Sequence, residues 1–137
     1  MTENGISFII PVYNRPQEIK ELLESFTKLS SKKDFEIVII EDGSTDDCQG
    51  VINDFNPQLT ISYYKKNNTG PGDSRNYGMK KAKGSYFIIL DSDCLLPEDY
   101  MQHVMDNLNN NYVDCFGGVD GSHESFSDYQ KAVSFSM

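Results

Sequence analysis

No apolar run in this sequence exceeds about five residues, so no stretch of it reads as a membrane span. The opening residues Met1-Thr2-Glu3-Asn4-Gly5 lack the basic stretch and apolar core of a secretory signal. Positive charge is also scarce: 12 Lys and Arg stand against 21 Asp and Glu, a formal net charge of −9. That balance argues against sequence-independent binding to nucleic acid or anionic lipid. A phosphorylated small molecule is still admissible, because a metal ion and a few local donors can supply the positive field. The cysteines are three, Cys48, Cys94 and Cys115, with no CxxC pair and no histidine cluster beside them. A disulfide framework and a zinc site are therefore not expected. Reduced cysteines packed as small apolar residues are, and with them a cytoplasmic location. Repeats and low-complexity tracts are absent.

What remains is 137 residues, 38% hydrophobic and 24% charged, which suits a single domain over 1–137 with a core of its own. Strand-like and helix-like segments alternate, the signature of an α/β fold with a parallel sheet. Strands are expected at 7–12, 35–40, 59–64 and 86–90, with a short one at 113–116. Asn14 is expected to cap the first helix, Pro16 suits its first turn, and Ile19, Leu22, Leu23, Phe26 and Leu29 form one apolar stripe. A short helix from Asp46 or Asp47 turns Val51, Ile52 and Phe55 inward and stops at Asn56-Pro57. A third runs over 72–83 and ends at Gly84. The fourth opens at Pro97 and buries Tyr100, Met101, Val104, Met105 and Leu108. Residues 128–137 look like the start of a further amphipathic element with no cap after it, as in a piece of a longer chain.

Chemistry gathers at strand ends. The run 86–90 reads as a buried strand, and Asp91-Ser92-Asp93 follows it. Two carboxylates one residue apart then stand where open α/β sheets bind ligands. They are also the oxygen ligands that a hard cation such as Mg²⁺ or Mn²⁺ prefers. Alone, the same residues make an ordinary polar turn. Two further strand ends carry Pro11-Val12-Tyr13-Asn14-Arg15 and Glu41-Asp42-Gly43-Ser44-Thr45-Asp46, and a doubly wound sheet lines one crevice with such ends. A fourth piece, the loop and helix start over 67–78, offers glycines, free N–H groups and the cationic fork of Arg75 to an anion. Its Gly70-Pro71-Gly72-Asp73-Ser74-Arg75 falls short of the dinucleotide fingerprint. Arg75 stands where the third glycine belongs, and the loop follows the third strand.

Taken together, Ile-Pro-Val-Tyr-Asn-Arg, Glu-Asp-Gly-Ser-Thr-Asp, Asn-Asn-Thr-Gly-Pro-Gly-Asp-Ser-Arg-Asn-Tyr-Gly and Leu-Asp-Ser-Asp resemble glycosyltransferase family 2. These are inverting enzymes with the GT-A fold, and the resemblance runs from Ile6 to Gly121. It implies a Rossmann-like, open, mostly parallel sheet flanked by helices. It implies a nucleotide-diphosphate sugar as donor, a UDP-sugar first of all, a saccharide or other hydroxyl acceptor, and Mn²⁺ or Mg²⁺ as cofactor. By the same resemblance Pro11, Val12 and Tyr13 contact the nucleotide, Tyr13 lying against the base. Asp42 accepts from a base N–H, and Glu41 replaces the Asp usual just before it. Arg75 belongs to the nucleotide pocket. Asp91 lies near ribose and metal, Asp93 ligates the metal, and Ser92 sits between them. The general base is expected beyond residue 137, and Asp120 is a candidate contact for sugar or acceptor. A longer parent is compatible with membrane association. The rival reading is a nucleotide-binding module without transferase activity. A nucleotidylyltransferase is disfavoured, since no Gly-rich, Arg-containing loop follows the first strand.

Overall fold

Strands apolar on both faces need cover on both sides, and parallel pairing with crossover helices supplies it. In a computed structural model of the chain, which describes residues 5–30 and 34–110, four strands pair in that way. They are β1 (Ile6–Val12), β2 (Phe35–Asp42), β3 (Ile61–Lys66) and β4 (Tyr86–Ile89). The order across the sheet is β3-β2-β1-β4, and every pairing is parallel. The direction of winding reverses between β1 and β4, which makes that gap the switch point of the sheet. The expected strand at 113–116, together with Cys115, Asp120 and residues 128–137, lies outside the described residues. By its contacts the chain divides into Met1–Met105 and Asp106–Met137, and of the second unit only the end of the last helix is described.

Alternation along β1 sends Phe8 to one face and Ile9 to the other. Helix α1 (Pro16–Thr27) covers the Phe8 face with Ile19, Leu22, Leu23 and Phe26, all fully buried, and Leu29 follows them. Phe8 and Phe26 meet edge to face at 4.8 Å between ring centroids. On the opposite face Ile9, Val38 and Ile40 pack under α3 (Pro71–Lys81) through Tyr77 and Met79. Gly78 sets how close that helix comes: a Cβ there would fall 2.5 Å from Ile40 Cδ1 and 2.7 Å from Ile9 Cγ2. α2 (Gln49–Phe55) and α4 (Tyr100–Asn110) complete the described elements. No helix among the described residues is long and apolar enough to cross a membrane.

Several local expectations are corrected. Among the described strands β4 lies at one end of the sheet, and it is not a fully buried strand: Phe87 and Ile89 are 39% and 41% exposed. β3 starts two residues later than expected because Leu59 N–H bonds back to Phe55 O in the turn after α2. Asn14 does not cap α1; Arg15 holds the cap position without a side-chain bond. α2 begins only at Gln49, whose N–H donates to Asp47 Oδ1, while Cys48 N–H is drawn to the buried Glu41. Ile52 is its buried residue, while Val51 and Phe55 are half-buried. α3 stops at Ala82, which is extended, and Gly84 instead donates its N–H to buried Ser7 Oγ at 2.8 Å. α4 starts at Tyr100, after a turn in which Tyr100 N–H bonds Pro97 O. Met101 and Val104 are buried there, and Tyr100, Met105 and Leu108 are half-buried.

Candidate functional site

An open cleft of about 430 Å³ lies at the carboxyl ends of the strands, across the switch point. The end of β1 supplies Pro11, Val12 and Tyr13; the end of β2 supplies Asp42. Pro71 and Arg75 reach it from α3, and Asp91, Ser92 and Asp93 from the segment after β4. Eight of the nine residues singled out in the sequence therefore meet in one place. Glu41 is the one the structure does not bring there: it is buried beneath the cleft and faces away from it.

That buried carboxylate has a full set of donors. Tyr63 Oη donates to Glu41 Oε1 at 2.7 Å, Cys48 N–H at 2.9 Å and Cys48 Sγ at 3.2 Å, while Ser44 Oγ donates to Oε2. Burial pushes the Cys48 thiol up to about 12, and the neighbouring Glu41 adds to it, so this sulfur is a packed, unreactive group. Burial and the same carboxylate also hold the Tyr63 phenol well above its ordinary value. Ser44 carries the connection onward, since its Oγ accepts from Asn14 N–H at 2.8 Å. Asn14 has a φ of 52°, a region that Asn tolerates better than most side chains. Its Oδ1 accepts from Thr45 N–H and Asp46 N–H, both at 2.9 Å. The turn after β1 is thereby fastened to the loop after β2, and Tyr13, half exposed at 50%, stands next to the fastening on the cleft wall.

Asp42 is the hub of the loop between β3 and α3. Its Oδ1 accepts from Lys66 Nζ at 2.6 Å and from Thr69 N–H at 2.9 Å, and its Oδ2 from Gly70 N–H at 3.0 Å. Asn68 Nδ2 donates to the Asp42 carbonyl, and the loop lies so close that a Cβ on Gly43 would fall 2.6 Å from Asn68 N. Gly43 also has a φ of 73°, so glycine is required there twice over. Burial by itself raises the Asp42 carboxyl; the Lys66 hydrogen bond, the Thr69 and Gly70 N–H groups and the Lys66 charge outweigh it. The group lies below the ordinary carboxylate value and is an anion at neutral pH.

Across the cleft, Arg75 Nη2 stands 3.4 Å from Asp91 Oδ1. Arg75 Nε is buried and has no hydrogen-bond partner in the described structure, an orphan donor in the wall of a cleft. Asp93 is exposed and makes no hydrogen bond or ion pair among the described residues. Ser92 Oγ donates to Glu18 Oε2 at 3.1 Å, which anchors the turn between the two carboxylates to the first turn of α1. No group of three or more His, Cys, Asp or Glu side chains suited to a metal occurs among the described residues. Two carboxylates on an open wall fit a hard cation whose remaining positions are filled by ligand oxygens and water.

Besides Arg15 and Pro71, which line the cleft from segments already noted, three residues at the site were not singled out from the sequence. Glu18 lines the cleft because it is the third residue of a helix that begins at the switch point, and helical side chains lean toward the N-terminus. Its position after Pro16 was the available signal. Lys66 reads as a loop residue, yet the register of β3 places it opposite Asp42. Tyr63 reads as a sheet aromatic, and nothing in the sequence marks its bond to Glu41.

The family model described as Glycosyl transferase family 2 matches residues 7–135. A Rickettsia felis protein named as an uncharacterized glycosyltransferase is 42% identical over 100 residues, covering 73% of this chain and 16% of its own length. The poly(ribitol-phosphate) beta-N-acetylglucosaminyltransferase TarS of Staphylococcus aureus is 37% identical over 90 residues, 64% of this chain and 16% of TarS. The crystal structure of TarS 1–349 in complex with UDP-GlcNAc superposes with a TM-score of 0.73 at 29% identity, covering 79% of this chain and 32% of that one. The open parallel sheet flanked by helices is the GT-A arrangement of TarS. The chain thus spans 16% of the length of each of these two curated relatives.

Proposed function

The chain belongs to glycosyl transferase family 2, and from that premise we propose that its cleft holds a nucleotide-diphosphate sugar for transfer to an acceptor hydroxyl with inversion. One observation carries the reading. A single cleft at the switch point gathers an aromatic face (Tyr13), a buried anionic acceptor (Asp42), a cationic fork with an unpartnered buried donor (Arg75) and a pair of carboxylates (Asp91, Asp93). Those are the groups that a base, a diphosphate and a divalent cation each require. The printed ligand of the TarS complex, UDP-GlcNAc, supports a UDP-sugar as the donor type.

In this reading Tyr13 offers its ring to the base and Asp42 takes a base N–H. Arg75 directs its guanidinium to the phosphates, where a planar fork binds two oxygens at once. Asp91 and Asp93 would hold Mn²⁺ or Mg²⁺, with Ser92 fixing the turn between them through Glu18. When bound there, the ion neutralises the negative charge that builds on the departing diphosphate. The protein's part is to supply the two carboxylates that would hold the ion and to aim Arg75 at the diphosphate from the same wall. The cleft carboxylates all have other roles in this account: Glu18 positions Ser92, Asp42 reads the base, and Asp91 and Asp93 take the cation. None of these four is assigned as the base that deprotonates the acceptor.

A thermal-shift panel of nucleoside diphosphates and their sugars, each with and without Mn²⁺, tests the reading. A ligand that binds the native state alone raises its stability by mass action. UDP and UDP-sugars are expected to raise the melting temperature only with Mn²⁺. A flat panel contradicts donor binding. Release or transfer of the sugar by the protein excludes a binding module without transferase activity.

A further inference from the structure

Lys66 stands at the end of β3, directly opposite Asp42 at the end of β2. Its Nζ reaches Asp42 Oδ1 at 2.6 Å, Asn67 O at 3.1 Å and Thr69 Oγ1. The pair is nearly sealed from water, with side chains 11% and 6% exposed, while Asp42 still forms part of the cleft wall. A carboxylate offers about four lone-pair sites. Lys66 Nζ and Thr69 N–H occupy two on Oδ1, and Gly70 N–H occupies one on Oδ2. One acceptor site is left, on Oδ2, for whatever enters the cleft.

The geometry points to Lys66 as the residue that sets nucleobase specificity. It holds Asp42 in one orientation as an anion with one free acceptor site, so the cleft takes bases that present a ring N–H and rejects bases that present a ring-nitrogen lone pair. Uracil presents such an N–H at N3; cytosine presents a lone pair at the same atom. An anion accepts from the first and repels the second, whereas a neutral carboxyl can rotate and donate to the second. Without Lys66 the buried carboxyl has only two backbone N–H groups to oppose the cost of burying its charge. Lys66 is thus a positioning residue, acting on the ligand through Asp42. Asp73 on α3, 3.8 Å from Nζ, and Glu41, the β2 neighbour of Asp42, are carboxylates beside the pair. Arg15, Glu18, Arg75, Asp91 and Asp93 share the cleft with Asp42.

The inference rests on the proposed binding of a nucleoside diphosphate, and its test separates the two. The ¹⁵N–¹H resonances of Thr69 and Gly70 report the charge of Asp42 without any ligand, since both amides donate to it. They are to be titrated with acid in the wild type, Lys66→Met and Lys66→Arg, with Lys66→Gln as the variant that keeps a donor without the charge. UDP and CDP affinities with Mn²⁺ are then compared near pH 5 and near pH 7.5. The amide midpoints are expected to rise in Lys66→Met and Lys66→Gln and to return in Lys66→Arg. The preference for UDP over CDP is expected to fall at least about tenfold near pH 5 in the same two variants. A wild type that binds neither nucleotide overturns the donor reading and this inference together. A wild type that binds UDP, with midpoints and base preference unchanged in Lys66→Met and Lys66→Gln, overturns the role of Lys66 alone.

Discussion

Arg75 on α3 and Asp91 after β4 face each other across the cleft, with Nη2 3.4 Å from Oδ1. The contact is long and both side chains are part-exposed, so it contributes little to stability. Its value lies in what it keeps in place: a guanidinium whose Nε remains buried and unpartnered in the described structure. Arg75→Lys retains the charge and removes the fork. UDP affinity in the presence of Mn²⁺ is expected to fall about tenfold in this variant, with the melting temperature nearly unchanged. Titration calorimetry that finds equal affinity assigns the diphosphate to other groups.

Glu18→Ala takes away the acceptor of Ser92 Oγ and frees the turn that carries Asp91 and Asp93. One lost hydrogen bond of this kind costs about 1 kcal/mol. Mn²⁺-dependent UDP affinity is expected to drop a few-fold, and Glu18→Gln, which keeps an acceptor oxygen, is expected to recover most of it. Equal affinities in wild type and Glu18→Ala contradict the anchoring role.

Asn14 combines two separable contributions, a φ of 52° and two accepted backbone N–H bonds. Asn14→Gly loses only the bonds; Asn14→Ala loses the bonds and adds a side chain ill-suited to that conformation. The alanine variant is therefore expected to be less stable than the glycine variant by about 1 kcal/mol. Urea unfolding measures the difference. Equal stabilities mean that the left-handed conformation is not maintained.

The Asp42 carboxyl lies below its ordinary value in the folded chain. A group lowered on folding contributes stability that is complete above the unfolded value and is lost as pH falls through the folded one. Unfolding free energy is thus expected to decline with acid below about pH 4, where an unfolded Asp begins to bind its proton. Asp42→Asn is expected to flatten part of that decline. A pH profile identical to the wild type places the acid sensitivity elsewhere.

Much of the frame is legible in the sequence because periodicity reports burial directly. The stripe Ile19, Leu22, Leu23, Phe26 and the four apolar runs specify helices and strands, and eight of the nine residues singled out meet at the cleft. What escaped depends on contacts distant in sequence. Glu41 belongs to the same short motif as Asp42, yet alternation along β2 turns adjacent residues to opposite sides, and Tyr63 and Cys48 capture it below the cleft. Asn14, two residues before Pro16, has the local pattern of a helix cap; the loop after β2, about thirty residues away, competes for its side chain and wins. Lys66 gains its role from strand register, which no window of the sequence displays. The exposure of Phe87 and Ile89, on the last strand of the described order, is likewise not displayed by their apolar run.

The central claim is that Asp91 and Asp93 admit a diphosphate to an acidic cleft by way of a divalent cation. Titration calorimetry of UDP into the protein, with Mn²⁺ and with excess chelator, tests it most directly. Asp93→Ala serves as the matched variant, since its side chain is exposed and without a partner among the described residues, which leaves the fold within about 0.5 kcal/mol of wild type. The account predicts binding with Mn²⁺ that disappears with chelator and in Asp93→Ala. UDP bound equally well under all three conditions contradicts it.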